Sequence, residues 1–156
     1  MYSVVVRKCR TFPFRRHPQP APLPWHRKQQ RDTSFGVILQ SSTTNRYALV
    51  QGRRTGKWSF PKGHRKPEES GWDCAKREAI EETGTGPQQE EPLATTLAVG
   101  TYFPWTVRDE FALVPQDTVE IMATGWFSLK EMTSMQLNVD LSTYVKQHQR
   151  QCPDRF

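Results

Sequence analysis

Three glutamates, Glu78, Glu81 and Glu82, crowd the run Arg77-Glu78-Ala79-Ile80-Glu81-Glu82-Thr83-Gly84. Residues three and four apart share one face of an α-helix, so a helix here projects the three carboxylates as a cluster. Neighbouring carboxylates repel and resist full ionisation unless a cation sits among them. Hard oxygen donors of this kind suit Mg²⁺ or Mn²⁺. Mg²⁺ keeps several waters and bridges carboxylates to substrate phosphates, so such a cluster can hold a pyrophosphate and help deprotonate an attacking water. The chemistry indicated is hydrolysis of a P–O–P link. An isolated acidic run is also how a solvated helix face reads, so the surrounding residues must decide.

The elements that would position the cluster are legible on both sides. Pro67 suits a first helical turn, Glu68 and Glu69 favour its positive end, and Gly84 suits the left-handed residue after the last turn. Trp72, Ala75 and Ala79 recur at helical spacing and predict a buried stripe beside the acidic one. Upstream, Trp58-Ser59-Phe60-Pro61-Lys62-Gly63 reads as a short strand entering a glycine loop, with Lys62 placed to contact phosphate. Arg53, Arg54 and Lys57 precede that loop and read either as a positive rim, with Arg53 a candidate substrate contact, or as solvated charges. Tyr102, Phe103 and Trp105 read either as core or as a stacking surface for a base, with Tyr102 the candidate ring. None of the four histidines has ligand spacing.

The stretch Gly63 to Gly84 resembles the signature box of the Nudix hydrolases: glycine, five residues, glutamate, seven residues, then R-E-U-x-E-E-x-G-U, with U a bulky aliphatic. Gly63, Glu69, Arg77, Glu78, Glu81, Glu82 and Gly84 fill every glycine and charged position. Seven such matches arise by chance with a probability of roughly 10⁻⁸ per starting position. Ala79 and Thr85 depart from the pattern at its two U positions. The resemblance implies metal ligation by Glu78, Glu81, Glu82 and the Gly63 carbonyl, and an Arg77–Glu69 pair bracing the loop against the helix. It also implies an α/β/α sandwich around a mixed sheet. In decapping and dinucleoside-tetraphosphate members a glutamate six residues before a tryptophan serves as metal ligand or general base. Glu120 stands at that interval from Trp126, with Glu110 in reserve, and either Glu78 or Glu120 can be the base. The string Trp58 to His64 resembles the corresponding loop of the same members.

Charge is unevenly spread along the 156 residues. Residues 1–31 carry eight basic side chains and no acid, whereas the remainder carries fourteen basic and sixteen acidic ones. Pro13, Pro18, Pro20, Pro22 and Pro24 break helix in this leader, which reads as an extended or disordered arm with a short strand at Tyr2 to Val6. Three roles stay open: contact with RNA through charge, an organelle transit segment, or a solubilising tail. Residues 32–156 read as the Nudix domain. Strands are expected at Phe35 to Leu39, Tyr47 to Val50, Leu93 to Phe103, Glu110 to Val114 and Val119 to Trp126. Ser128 with Glu131 has capping-box spacing, and Asp140 is the expected cap of a last helix carrying Leu141, Tyr144, Val145 and His148 on one face.

No apolar run reaches bilayer length and no secretory signal is visible, so neither membrane insertion nor secretion is expected. Cys9, Cys74 and Cys152 lack both pairing number and C-x-x-C spacing, which predicts free thiols. The expectation is a cytoplasmic α/β hydrolase, with mitochondrial and nuclear sites open. It would depend on Mg²⁺ or Mn²⁺ and cleave a diphosphate link in a phosphorylated small molecule or capped RNA. A catalytically silent Nudix module that binds RNA or nucleotide is the alternative.

Overall fold

Alternation along the strand Ser34–Ser41 (β1) sorts its side chains to two opposite cores. Val37 and Leu39 point to one, Ile38 to the other, and all three are buried. A strand buried on both faces needs a layer above and a layer below, and residues 33–156, which this computed structural model describes, supply them. One layer is the helix Gly71–Thr83 (α1), whose Trp72, Ala75 and Ala79 pack with Val37, Leu39, Ala48, Phe103 and Trp105. The other holds two helices near the C-terminus, Leu129–Met132 (α2) and Val139–Gln151 (α3). Their Leu129, Met132, Leu141 and Val145 cover Ile38, Leu49, Phe60 and Tyr102. The result is the expected α/β/α sandwich. The leader, including the strand expected at Tyr2 to Val6, lies outside the described residues.

The sheet is mixed. The strand Tyr47–Gly52 (β2) follows a turn at Ser42 to Thr44, and Trp58–Ser59 (β3), Lys62–His64 (β4), Thr95–Thr96 (β5), Thr101–Val107 (β6) and Ile121–Phe127 (β7) complete it. β1 runs parallel to β6 from Phe35↔Thr101 to Ser41↔Val107. On its other edge β1 changes partner: it meets β2 at Gln40↔Tyr47 and β4 from Ser34↔His64 to Gly36↔Lys62. β2 therefore leaves β1 after one pair and continues with β7 and β3. The divergence of β2 from β4 opens the sheet, and the gap becomes a cleft.

Several expected boundaries move, each for a local reason. Ser70 caps α1 by accepting the Asp73 N–H at 3.0 Å. Pro67 to Glu69 consequently belong to the preceding loop, and Glu69 does not share the helix with Arg77. The strand expected at Leu93 to Phe103 divides into β5 and β6 around a turn in which Leu97 N–H donates to Gly100 O at 2.9 Å. Glu110 to Val114 joins no ladder: Phe111 is an aromatic plug against Trp105 and Trp126, and its carbonyl accepts the Trp126 indole N–H at 2.9 Å.

β7 starts at Ile121, not Val119, because Asp117 Oδ1 folds the preceding residues into a turn by accepting the Val119 and Glu120 N–H groups at 3.0 Å each. The capping box at Ser128 is present, whereas α3 is capped by Asn138 and not by Asp140. Among the described residues no helix is long and apolar enough to cross a membrane, and Cys74 and Cys152 are free thiols.

Candidate active site

α1 brings Glu82 to the gap while Trp72, Ala75 and Ala79 commit another face to the core. Glu82 meets the Lys62 N–H and Glu78 the Gly63 backbone of β4, Glu81 pairs with Arg77, and Trp72, Ala75 and Ala79 are buried. Ala79 is small because Trp72, Phe103 and Trp105 already fill that core. Thr85 is exposed, so its polarity is tolerated. Gly84 ends the helix at φ 84°, in the left-handed region that glycine adopts freely, and its N–H returns to Ile80 O at 2.9 Å.

Gly63 is required by space. A Cβ there would overlap the Glu78 carboxylate, so the glycine lets backbone and carboxylate lie in direct contact. Its carbonyl lies 3.7 Å from the Cys74 Sγ. Burial pushes the Cys74 thiol up to about 11 and keeps it protonated. One residue earlier, Lys62 N–H donates to Glu82 Oε2 at 2.9 Å. Glu82 is only 7 % exposed. Its burial, with Glu78 and Glu120 nearby and only partial relief from the Lys62 N–H, pushes its carboxyl up to about 8. Glu78 is also pushed up, first by burial, against the opposing pull of Arg77.

Arg77 organises this cluster. Its guanidinium bonds Glu69 through Nε (2.8 Å) and Nη2 (3.0 Å), Glu78 and Glu81 through Nη1 (2.6 and 3.2 Å), and the His64 carbonyl through Nη2 (3.0 Å). Arg77 and Glu69 are thereby paired across the junction of the helix and the loop before it. Glu81, 39 % exposed in its side chain, leans to Arg77, whereas Glu82 faces Lys62.

Glu120 is brought in by the C-terminal end of α1. Val114 N–H bonds Thr83 O at 3.0 Å, and Gln116 and Asp117 N–H bond Glu81 O at 2.8 and 3.0 Å. The loop therefore caps the last helical carbonyls, and the Asp117 turn then presents Glu120 to the gap. Arg53 holds that turn from the other side: its N–H donates to Glu120 O at 2.8 Å and its Nη2 to the carbonyls of Thr118 (3.2 Å) and Ile121 (3.4 Å). The resulting cleft has a volume of about 650 Å³ and is lined by Arg53, Lys62, Gly63, Glu82 and Glu120 among others. Glu110 lies away from it, bonded to Thr44 Oγ1.

Tyr102 corrects the expectation of a stacking ring. It is fully buried and donates its hydroxyl to Asp140 Oδ2 at 2.7 Å, so no base can reach it. Asp140, also fully buried, accepts Val99 N–H at 2.8 Å and Gly100 N–H at 3.4 Å through Oδ1. Phe103 and Trp105 are core as well. Two contributors went unread in the sequence. Asp117 carries a usable signal, an Asx turn three residues before Glu120, whereas Cys74 against the Gly63 carbonyl has none.

The donor set fits a water-rich divalent ion better than a closed structural site. Among the described residues no three His, Cys, Asp or Glu side chains converge as a ready ligand group. Mg²⁺ ordinarily takes one or two carboxylates and fills its shell with water and phosphate oxygens. Buried Glu82 and half-buried Glu78, beside the Lys62–Gly63 backbone, are groups whose ionised forms a cation would stabilise.

A carboxylate-bearing helix behind a glycine loop, in an α/β/α sandwich with a cleft between diverging strands, defines the fold and box of a Nudix hydrolase. The model of the NUDIX domain matches residues 30–147, and the chain belongs to that family. Over 49 residues it is 43 % identical to mRNA-decapping enzyme subunit 2 of Arabidopsis thaliana, a match covering 31 % of this chain and 13 % of that protein's length. In fold it is similar to a C. elegans Ap4A hydrolase, with TM-score 0.61, 16 % identity, and 78 % and 99 % of the two chains covered. It is similar too to the M. smegmatis Nudix hydrolase RenU, with TM-score 0.62, 15 % identity, and 80 % and 87 % covered.

Proposed function

We propose that this domain is a Mg²⁺- or Mn²⁺-dependent pyrophosphohydrolase acting on a diphosphate link in a nucleoside diphosphate derivative. Dinucleoside polyphosphates and the RNA 5′ cap stand ahead of diphosphoinositol polyphosphates and nucleotide sugars. The observation that carries the reading is buried Glu82, set against the Lys62–Gly63 backbone, with Glu78 behind it and Glu120 in the same cleft. Glu78, Glu82, the Gly63 carbonyl and Glu120 are the residues that would hold the ion, with Glu81 beside them on Arg77. A divalent ion bound there would offset phosphate charge and acidify a water.

The chain's own residues divide the remaining work. Lys62 binds phosphate oxygens, Arg77 fixes the spacing of Glu78 and Glu81, and Arg53 with Asp117 fixes Glu120. Glu120, which lines the cleft, or Glu78, which lies against the Gly63 backbone at its edge, accepts the proton from the attacking water. The decapping relative and the Ap4A hydrolase motivate the substrate order. If capped RNA is the substrate, the basic residues 1–31 would bind its body by charge, in the expected cytoplasmic setting.

The test is product analysis on capped RNA, diadenosine tetraphosphate, a diphosphoinositol polyphosphate and a nucleotide sugar, with Mg²⁺, Mn²⁺ or chelator. Turnover is expected only with metal, and Glu81→Gln and Glu82→Gln should each lower kcat by about 10²-fold or more. Undiminished turnover in both variants overturns the mechanism. Nucleotide or RNA binding with no turnover on any substrate favours the silent module instead. Deleting residues 1–31 should weaken RNA binding and flatten its salt dependence.

A further inference from the structure

The turn between β2 and β3 carries more positive charge than the reaction needs. Arg53, Arg54 and Lys57 all line the cleft, as does Lys62 on the adjoining wall, against the carboxylates Glu82 and Glu120. Arg53 is occupied with the carbonyls of Thr118 and Ile121. Arg54 and Lys57 are exposed, and their side chains form no hydrogen bond or ion pair with any other described residue. A diphosphate held by Lys62 and a divalent ion leaves these two cations without a counter-charge.

The turn that bears them is built, not loose. Gly52 N–H donates to Lys57 O at 3.1 Å, Gly56 N–H to Gly52 O at 2.8 Å and Gln51 Nε2 to Gly56 O at 2.9 Å. The Arg53 N–H bond to Glu120 O ties the whole turn to the opposite loop. The backbone that carries the two cations is therefore fixed on the rim of the cleft that contains Glu82. The aromatic rings nearest in sequence face elsewhere: Trp58 packs edge-on against Phe127, and Tyr102, Phe103 and Trp105 are buried. Among the described residues lining the cleft there is no Phe, Tyr or Trp. Stacking of a base is the usual sequence-tolerant way to grip a nucleotide, and among the described lining residues only the His64 imidazole is a ring, against four cationic side chains.

The geometry points to a second anion subsite at Arg54 and Lys57 that binds phosphate groups beyond the pair flanking the scissile link. The substrate class it selects carries a compact run of phosphates, held at this subsite by charge. The subsite rests on the hydrolase reading only for where the scissile diphosphate lies. The shared chemistry is several phosphates close together, whether in a linear chain or around a ring.

Calorimetric titration of the full chain in chelator tests this without turnover, using pyrophosphate, inorganic tripolyphosphate and inositol hexakisphosphate as probes. Wild type is compared with Arg54→Ala/Lys57→Ala and with Arg108→Ala/Arg150→Ala, which removes the same charge from residues that do not line the cleft. Thermal melts confirm that each variant folds. The first variant should weaken tripolyphosphate or hexakisphosphate binding about tenfold or more, and pyrophosphate binding several-fold less. The control should hold all three within about twofold. A response to tripolyphosphate alone identifies a linear chain, and one to hexakisphosphate alone a ring.

Equal weakening of all three probes, equal effects in both variants, or no binding of the larger probes by wild type overturns the subsite. Kinetics separates this outcome from the parent reading. Metal-dependent hydrolysis, with an unchanged preference for four-phosphate over two-phosphate substrates in the Arg54/Lys57 variant, leaves the hydrolase standing and removes the subsite.

Discussion

Arg77 and Glu69 are joined by two near-parallel hydrogen bonds, Nε to Oε1 at 2.8 Å and Nη2 to Oε2 at 3.0 Å, across the boundary between α1 and its preceding loop. Both side chains are largely shielded, at 21 % and 14 % exposed. The same guanidinium reaches Glu78, Glu81 and the His64 carbonyl. One planar cation thus sets the distance between the loop that carries Gly63 and the helix that carries the acids.

A lysine cannot reproduce that fork. Arg77→Lys should therefore lower unfolding free energy by about 1–3 kcal/mol, read from urea denaturation. It should also lower kcat more than it raises KM, because the carboxylate spacing slackens.

The pair also sets an acid-side dependence. Arg77 holds the Glu69 carboxyl at about 2, below its ordinary value of 4.5. A depressed folded value means that the unfolded chain binds more protons as acid is added. The contribution is whole above about pH 4.5 and is lost as pH falls through about 2. The stability gap between wild type and Glu69→Gln, measured from pH 6 down to pH 2, should narrow across that window.

Gly63→Ala forces a methyl group into the Glu78 carboxylate. Glu78 must turn away or the loop must lift. The expected result is a loss of kcat of roughly 10²-fold with a folded protein by circular dichroism. Near-wild-type kcat would show that the contact does not matter to the chemistry.

Tyr102→Phe tests the buried hydrogen bond between Tyr102 and Asp140. Removing the hydroxyl leaves Asp140 Oδ2 without the donor it has at 2.7 Å, which should cost about 1–3 kcal/mol in a denaturant titration. KM for every substrate should stay within about twofold. Unchanged stability would show that the hydroxyl contributes nothing to the fold.

Ala79 stands where the family pattern has a bulky aliphatic, fully buried beside the aromatics of its cluster. Ala79→Leu should overpack that site and lower stability by about 1–3 kcal/mol. A gain in melting temperature would reveal unfilled space there.

The sequence by itself determined the box. Helical spacing puts Glu78, Glu81 and Glu82 on one side and Trp72, Ala75 and Ala79 on the other, because 3.6 residues per turn is a local property. Gly84 marks the helix end for the same reason, and the Ser128–Glu131 cap needs no distant partner. Local rules failed where a local alternative competed: Ser70 outbid Pro67 as the start of α1, and Asn138 outbid Asp140 as the cap of α3.

Only the tertiary structure decided which aromatics are core, since Tyr102 has the same composition and pattern whether it meets Asp140 or solvent. It alone decided that β2 parts from β1 after Gln40↔Tyr47 and opens the cleft. The approach of Glu120 depends on Asp117 bonding Glu81 across 36 positions, and the surplus charge of Arg54 and Lys57 appears only when that cleft is formed. These are contacts between residues far apart in the chain, and no short-range spacing encodes them.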